Sequence, residues 1–304
     1  MRLSIITINY NGSESTIKLL ASLAGQIDMD FQVIVVDNAS EETDFNNLKN
    51  ALNRQDLFKQ VLPVKLIRND QNLGFSGGNN VGIREAIKNS AEWVLLLNND
   101  TWVEKDFIYR LRAVLEVKTG ILGIPLKEES GVACAGEIDW LRSTLRHVYM
   151  DERQGERYKK NIDNLSAGRY YTIGGGVAIS RDVLDKIGLL DENYFLYFED
   201  VDYSIRARNN NIPISFTDHT MIYHSASATT KKLGSPLLLR YHYRNALYFN
   251  WKNGPWYIKL AVWLWSFWII KKQLFKMMFL YKREESRAIL NGVFDFYKGR
   301  MGKI

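Results

Sequence analysis

The 304-residue chain has a single cysteine, Cys134, so no intrachain disulfide forms, and no Cys/His spacing suited to zinc is present. It shows no secretion signal: Met1-Arg2 runs straight into LSIITINYN, which reads as a cytoplasmic protein. No bilayer-spanning run stands out either. The longest uncharged apolar run of the C-terminal part, Leu260 to Ile270, has 11 residues against the ~20 that a spanning helix needs. Phosphate-binding signatures are also missing, since there is no Walker A sequence, and NLGFSGGNN at Asn72–Asn80 lacks GxGxxG spacing and does not follow the first strand. These absences exclude a disulfide-stapled scaffold, a zinc module and a P-loop enzyme, and the tail is not expected to cross a membrane. With 46% apolar residues, disorder as the main state is excluded as well.

Charge is present in a skewed distribution. The 40 basic and 34 acidic residues give +6, yet residues 231–304 hold 15 Lys/Arg and 3 Asp/Glu while residues 1–230 hold 25 and 31. The same tail carries five of the eight tryptophans: Trp251, Trp256, Trp263, Trp265 and Trp268. Lys259 precedes the apolar run, and Lys271, Lys272 and Lys276 follow it. This is the composition of a segment lying in an anionic lipid interface, although a helix buried against the rest of the chain also fits it. The run is too apolar for a phosphate-facing helix, so no nucleic-acid partner is expected.

Four strand-like runs, LSIITI, VIVVD, VKLIR and WVLLL, alternate with helical stretches over the first hundred residues. That alternation predicts an α/β fold with a mostly parallel, Rossmann-like sheet and helices on both faces. Ligands of such sheets bind beyond the carboxyl ends of the strands, and here those ends are polar throughout. They are Thr7, Asn9, Tyr10 and Asn11, then Asp37-Asn38, then Arg68-Asn69, then Asn98-Asn99-Asp100. Any one of them alone serves equally as a turn or cap residue. Together they suggest a nucleotide pocket, in which a carboxylate such as Asp37 accepts from a base or ribose and Tyr10 covers a base. Gly74, Gly77 and Gly78 suggest a bent loop, close to a ligand, ahead of a helix from about Asn80 to Lys88. Gly174, Gly175 and Gly176 in YYTIGGGVAISR allow a similar approach or form a plain bulge. In FLYFEDVDYSIRAR, Glu199, Asp200 and Asp202 open a helix that runs toward Asn209. They complement a helix N-terminus, or the aromatic lead-in keeps one of them poorly solvated and basic. The charged stretch from about Lys127 to Asn164 shows no clean period and reads as a variable insertion.

In this order and spacing, SIITINYNG, VIVVDNAS, NLGFSGGNN, LLLNND and FLYFEDVDYSIRAR resemble family 2 of the inverting glycosyltransferases, in the branch of rhamnosyl- and galactofuranosyltransferases. The likeness covers about residues 2–230; RYHYRNALYF and AILNGVFDFYKGRMGK in the tail are similar to C-termini of that branch. It implies a GT-A catalytic domain over 1–235, with a nucleotide-sugar half at 1–101 and an acceptor half at 102–235, followed by a helical, membrane-associating segment at 236–304. By the same likeness the donor is held by Thr7, Asn9, Tyr10, Asp37, Asn38, Arg68, Asn72, Gly74, Phe75, Asn79, Asn98 and Asn99. Asn98-Asn99-Asp100 stands where the family has its Asp-X-Asp motif. Asp100 is then the direct ligand for Mg²⁺ or Mn²⁺, the neutral Asn98 amide oxygen or a water completes that side of the metal site, and His224, ahead of SASATT, is a further ligand. Asp200 is the implied base, Glu199 its orienting partner and Asp202 the fallback, while Gly174, Gly175 and Gly176 line the sugar and acceptor. His147, His219 and His242 lie in no motif and are read as structural.

The implied activity is transfer of a sugar from a nucleoside diphosphate, dTDP-rhamnose before UDP-hexose or UDP-galactofuranose. The acceptor is a hydroxyl of a lipid-linked or envelope polysaccharide at the inner face of the cell membrane. Two other classes stand beside it. A sugar-nucleotide pyrophosphorylase would carry a Gly-rich, basic loop after the first strand, which TINYNGSEST lacks. A non-catalytic nucleotide-sugar-binding scaffold would have no need of Asp100, Asp200 and His224 together.

Overall fold

The computed structural model describes residues 1–54, 62–141, 144–151, 162, 165, 169–224 and 235–304. The four apolar runs form β1 (Leu3–Asn9), β2 (Phe31–Asp37), β3 (Val64–Arg68) and β4 (Trp93–Leu97), paired in parallel in the order β3-β2-β1-β4. Between them lie α1 (Ser13–Ala24), α2 (Glu42–Asn53) and α3 (Gly74–Lys88). Strand side chains alternate between faces, and the two cores divide accordingly. Ile5, Val33, Val35 and Leu95 pack with Leu19 and Leu23 of α1, whereas Ile6, Ile34, Val36 and Leu96 pack with Ile83 and Ala86 of α3. Helices therefore cover both faces.

The chain continues through β5 (Thr101–Trp102), α4 (Phe107–Leu115), β6 (Ile121–Gly123), β7 (Leu126–Glu128), β8 (Gly131–Asp139), β9 (Thr144–Met150), β10 (Tyr170–Tyr171) and β11 (Gly176–Ser180). Then come α5 (Arg181–Ile187), α6 (Glu199–Asn209), β12 (Ile214–Phe216) and β13 (Ile222–His224). β11 runs antiparallel between β4 and β6, and with β12 completes one seven-stranded sheet, β12-β6-β11-β4-β1-β2-β3. The two sequence halves thus share a sheet. A second sheet, β10-β8-β7-β13-β5 with β9 on β8, has no counterpart in the sequence reading. Much of the stretch read as an aperiodic insertion from Lys127 is this sheet's antiparallel β7–β9 meander; 142, 143, 152–161, 163 and 164 lie outside the described residues.

The glycine-rich segment differs from its expectation as a loop. α3 begins at Gly74 rather than near Asn80, and its glycines serve close approach. A Cβ at Gly78 would lie 2.9 Å from Ile8 Cδ1, so a side chain there would push α3 off β1. Gly74 has φ +73° and abuts the Phe195 carbonyl, which accepts from Phe75 N–H at 2.6 Å.

The tail forms α7 (Ser235–Asn253), α8 (Trp256–Met278) and α9 (Arg283–Tyr297). Ala246 and Phe249 of α7 enter one apolar cluster with Tyr194, Phe198 and Val201, so this helix packs on the catalytic region. α8 buries Ile258, Val262, Ser266 and Ile269 and turns Trp256, Leu260, Trp263, Leu264, Phe267 and Trp268 to solvent. Among the described residues no helix is long and apolar enough to cross a membrane. The SASATT stretch at 225–230, next to the expected boundary at 235, lies outside the described residues.

Candidate active site

A cavity of about 510 Å³ opens beyond the ends of β1, β2 and β4. Of the residues expected to hold a donor, Tyr10, Asn38, Asn72, Gly74, Phe75, Asn79, Asn98 and Asn99 line it, together with Asp100, Gly174, Gly175, Glu199 and Asp200. Asn38 fixes the mouth of α3: its amide donates to Asn72 Oδ1 (3.0 Å) and the Gly74 carbonyl (2.9 Å), and its oxygen accepts from Leu73 N–H (3.1 Å). Asn98 N–H donates to the Gly175 carbonyl (3.3 Å), and Gly174 N–H donates to Asp200 Oδ2 (3.1 Å). The glycine pair thereby connects the β4 end to the start of α6.

Other expected residues lie elsewhere. Thr7 is buried within β1 and does not line the cavity. Sheet register puts Asn9 opposite Asp37 and Asp37 opposite Arg68, and these three brace one another instead of lining the cavity. Asn9 Nδ2 sits 2.8 Å from Asp37 Oδ2, and Arg68 Nε 3.7 Å from Asp37 Oδ1. A buried carboxylate needs such partners, and Asp37 is fully buried. Gly176 lets β11 pass Ile222 and faces no cavity. Asp202 is also fully buried and has its oxygens taken by Tyr194 OH (3.1 Å), Arg206 Nε (2.8 Å), Lys252 Nζ (2.7 Å) and Asn253 Nδ2 (2.7 Å). Buried beneath these four donors and absent from the cavity wall, Asp202 acts as an anion joining α6 to α7.

The segment leading into Glu199 is strained. Phe195, Tyr197 and Phe198 have φ of 55°, 72° and 74°, a region that side chains with a Cβ rarely occupy. What holds it is Asn245 of α7, a residue that the sequence reading did not single out. Its Nδ2 lies 2.7, 2.8 and 3.2 Å from the carbonyls of Tyr194, Leu196 and Tyr197. The RYHYRN stretch was the available signal, because polar residues inside an otherwise apolar helix call for a partner. Tyr241 and Lys303 of the tail also line the cavity.

The sequence profile of glycosyl transferase family 2 matches residues 4–188, more than half of the chain. The chain belongs to that family. It is 25% identical to the low-salt glycan biosynthesis hexosyltransferase Agl10 of Haloferax volcanii, over 99% of this chain and 92% of that one. It is 23% identical to the dTDP-rhamnosyl transferase RfbF of Shigella flexneri, over 73% and 71%. Solved GT-A glycosyltransferases share the fold. The mannosyltransferase PcManGT of Pyrobaculum calidifontis, in complex with GDP-Man and Mn²⁺, superposes with TM-score 0.56 at 12% identity over 98% of this chain and 88% of that one. S. aureus TarS 1-349 with UDP-GlcNAc gives 0.54 at 17% over 98% and 92%; of a longer TarS chain the match spans 40%.

Within this family 2 site the two adjacent carboxyls differ. Glu199 is buried, its Oε2 has no hydrogen-bond partner among the described residues, and burial, reinforced by the Asp200 charge, pushes its pKa up to about 8. Burial also raises Asp200, but the N–H groups of Gly174 and Val201 (2.8 Å) oppose that shift. Backbone donors thus favour the charge on Asp200, whereas nothing among the described residues offsets the burial of Glu199 Oε2. Asp100 Oδ1 is buried 3.2 Å from His224 Nε2 and otherwise has no partner among the described residues; the Asp100 carboxylate raises the His224 pKa. A carboxylate and an imidazole with an unsatisfied oxygen between the strand ends form a donor set that suits Mn²⁺ or Mg²⁺. Among the described residues no third acidic, His or Cys ligand joins them.

Proposed function

We propose that this glycosyltransferase is inverting and metal-dependent, and that it moves a sugar from a nucleoside diphosphate to a hydroxyl of a lipid-linked or envelope polysaccharide. The observation that carries this reading is the single cavity holding Asp100 at its β4 end and Asp200 at the start of α6, joined through Gly174 and Gly175. Asp200 takes the proton of the acceptor hydroxyl as its oxygen bonds to the anomeric carbon and the bond to the diphosphate breaks. Asp100 and His224, with the Asn98 amide nearby, would hold the divalent ion, which supplies neutralisation of the departing diphosphate. Glu199, protonated, orients the base or the acceptor. One ionised base beside a protonated Glu199, with Asp100 given to the divalent ion, favours single displacement. The rhamnosyl- and hexosyltransferase relatives support dTDP-rhamnose as first donor, ahead of UDP-hexose and UDP-galactofuranose.

A donor screen tests this: thermal shift and nucleotide release with each nucleotide sugar and Mn²⁺, and NMR of the product's anomeric signal. Binding that Asp100→Ala makes insensitive to Mn²⁺, with inverted product, is the expected result. Absence of any nucleotide-sugar binding, or a retained anomer, would defeat the reading.

The tail belongs to the same proposal as a peripheral anchor on the inner face of an anionic membrane. The exposed face of α8 supports this, with Lys272 Nζ lying 4.6 Å from the centre of the Trp268 ring. Vesicles containing anionic lipid should bind the protein and release much of it as salt rises, and replacing Trp263 and Trp268 by Ser should weaken the salt-resistant part. Equal binding by that double variant would remove the anchor.

A further inference from the structure

The donor reading leaves an electrostatic problem in the cavity. On that reading the carboxylates of Asp100 and Asp200 line a cavity that takes a doubly charged pyrophosphate. Among the described residues, the one Lys or Arg in the cavity wall is Lys303, which lies beyond α9 and more than 100 residues after Asp200. The segment that brings it there is tightly held. Gly302 N–H donates to the Asn193 carbonyl (2.9 Å), and Ile304 N–H donates to Tyr241 OH (2.9 Å). Arg244 Nη1 donates to the carbonyls of Gly302 (2.8 Å) and Arg300 (3.2 Å). Arg244 is fully buried, and a buried guanidinium without acceptors is costly, so the carbonyls of this arm are part of what makes its burial tolerable. The neighbouring Asn245 holds the strained loop ahead of Glu199. Two consecutive residues of α7 therefore set the base-bearing loop and the Lys303 arm relative to one another.

We propose that Lys303 binds the pyrophosphate of the substrate, supplying from the tail a protein cation that the described residues of the donor half do not bring to the cavity. This rests on the transferase reading above. The pyrophosphate belongs either to the nucleoside diphosphate donor or to a lipid diphosphate acceptor, and an ammonium serves both in the same way.

Calorimetric titration of the full chain in EDTA, so that no divalent ion masks the effect, tests it with Lys303→Met and Lys303→Arg. The probes are UDP and dTDP against uridine and thymidine, and geranyl diphosphate against geraniol in detergent micelles. Lys303 is exposed, so both variants should melt as the wild type does. Loss of ~10-fold in nucleoside diphosphate affinity in the Met variant, with the uncharged nucleosides unaffected and the Arg variant restored, assigns the donor. The same loss confined to geranyl diphosphate assigns the acceptor. Unchanged affinity for both diphosphates overturns the inference while leaving the transferase reading intact, whereas a wild type that binds neither, in EDTA or with Mn²⁺ restored, overturns both.

Discussion

Asp200→Asn is expected to bind nucleotide sugar as the wild type does and to turn over ~10²–10⁴-fold more slowly. The amide is nearly isosteric and still offers an oxygen to the Gly174 or Val201 N–H, so the glycine pair and α6 keep their places. What it loses is the ability to accept a proton from the acceptor hydroxyl. Glu199→Gln is the informative control: a carboxyl with pKa near 8 is already neutral at pH 7, so its amide should cost far less. Single-turnover rates at pH 7 and donor titration of both variants give the comparison. A near-normal rate for Asp200→Asn beside a large loss for Glu199→Gln would transfer the base to Glu199.

The second large effect concerns the tail. Ending the chain at residue 235 is expected to give an aggregating product that binds no nucleotide. The truncation removes Ala246 and Phe249 from the cluster around Phe198 and strips Lys252 and Asn253 from buried Asp202. It also takes the Asn245 amide from three loop carbonyls. Asp202 keeps Arg206 and Tyr194 but loses two of its four donors, and stripping partners from a buried charge costs up to ~3–5 kcal/mol, comparable to the whole stability of a marginal domain. Gel filtration and circular dichroism melting of the fragment decide the matter. A monodisperse fragment with cooperative melting and donor binding would instead establish the tail as a separate platform, as its composition alone suggested.

The first four strands were legible because continuous Val, Ile and Leu runs bounded by polar residues have few other uses. Their polar ends marked where the cavity opens. Which of those residues face it was not legible, since neighbours at a strand end point to opposite sides, and pairing register alone brought Asn9, Asp37 and Arg68 together. The second sheet stayed hidden because β5, β7, β10 and β13 are two or three residues long, too short for alternation to register. In the EDVD cluster, charge pattern could not separate Asp200 from Asp202. The distinction comes from Lys252 and Asn253, about fifty residues later, which seal one and leave the other open. Lys303 escaped for the same reason, because only folding brings it beside the strand ends.

The contact of Gly74 with Phe195 bears on recombination. The first residue of α3, from the half proposed to hold the nucleotide, has no room for a Cβ beside the loop that leads to Asp200. Phe75 N–H is hydrogen-bonded to the same carbonyl, and the Asn80 amide reaches the Leu190 carbonyl at 2.9 Å. A chimaera that imports another relative's donor half onto this acceptor half must therefore import a matching seam. Crossovers placed between β4 and α6 would join two surfaces shaped for different partners even where every catalytic side chain is retained. Altering sugar preference by exchanging whole halves is accordingly a poorer route than replacing cavity side chains one at a time.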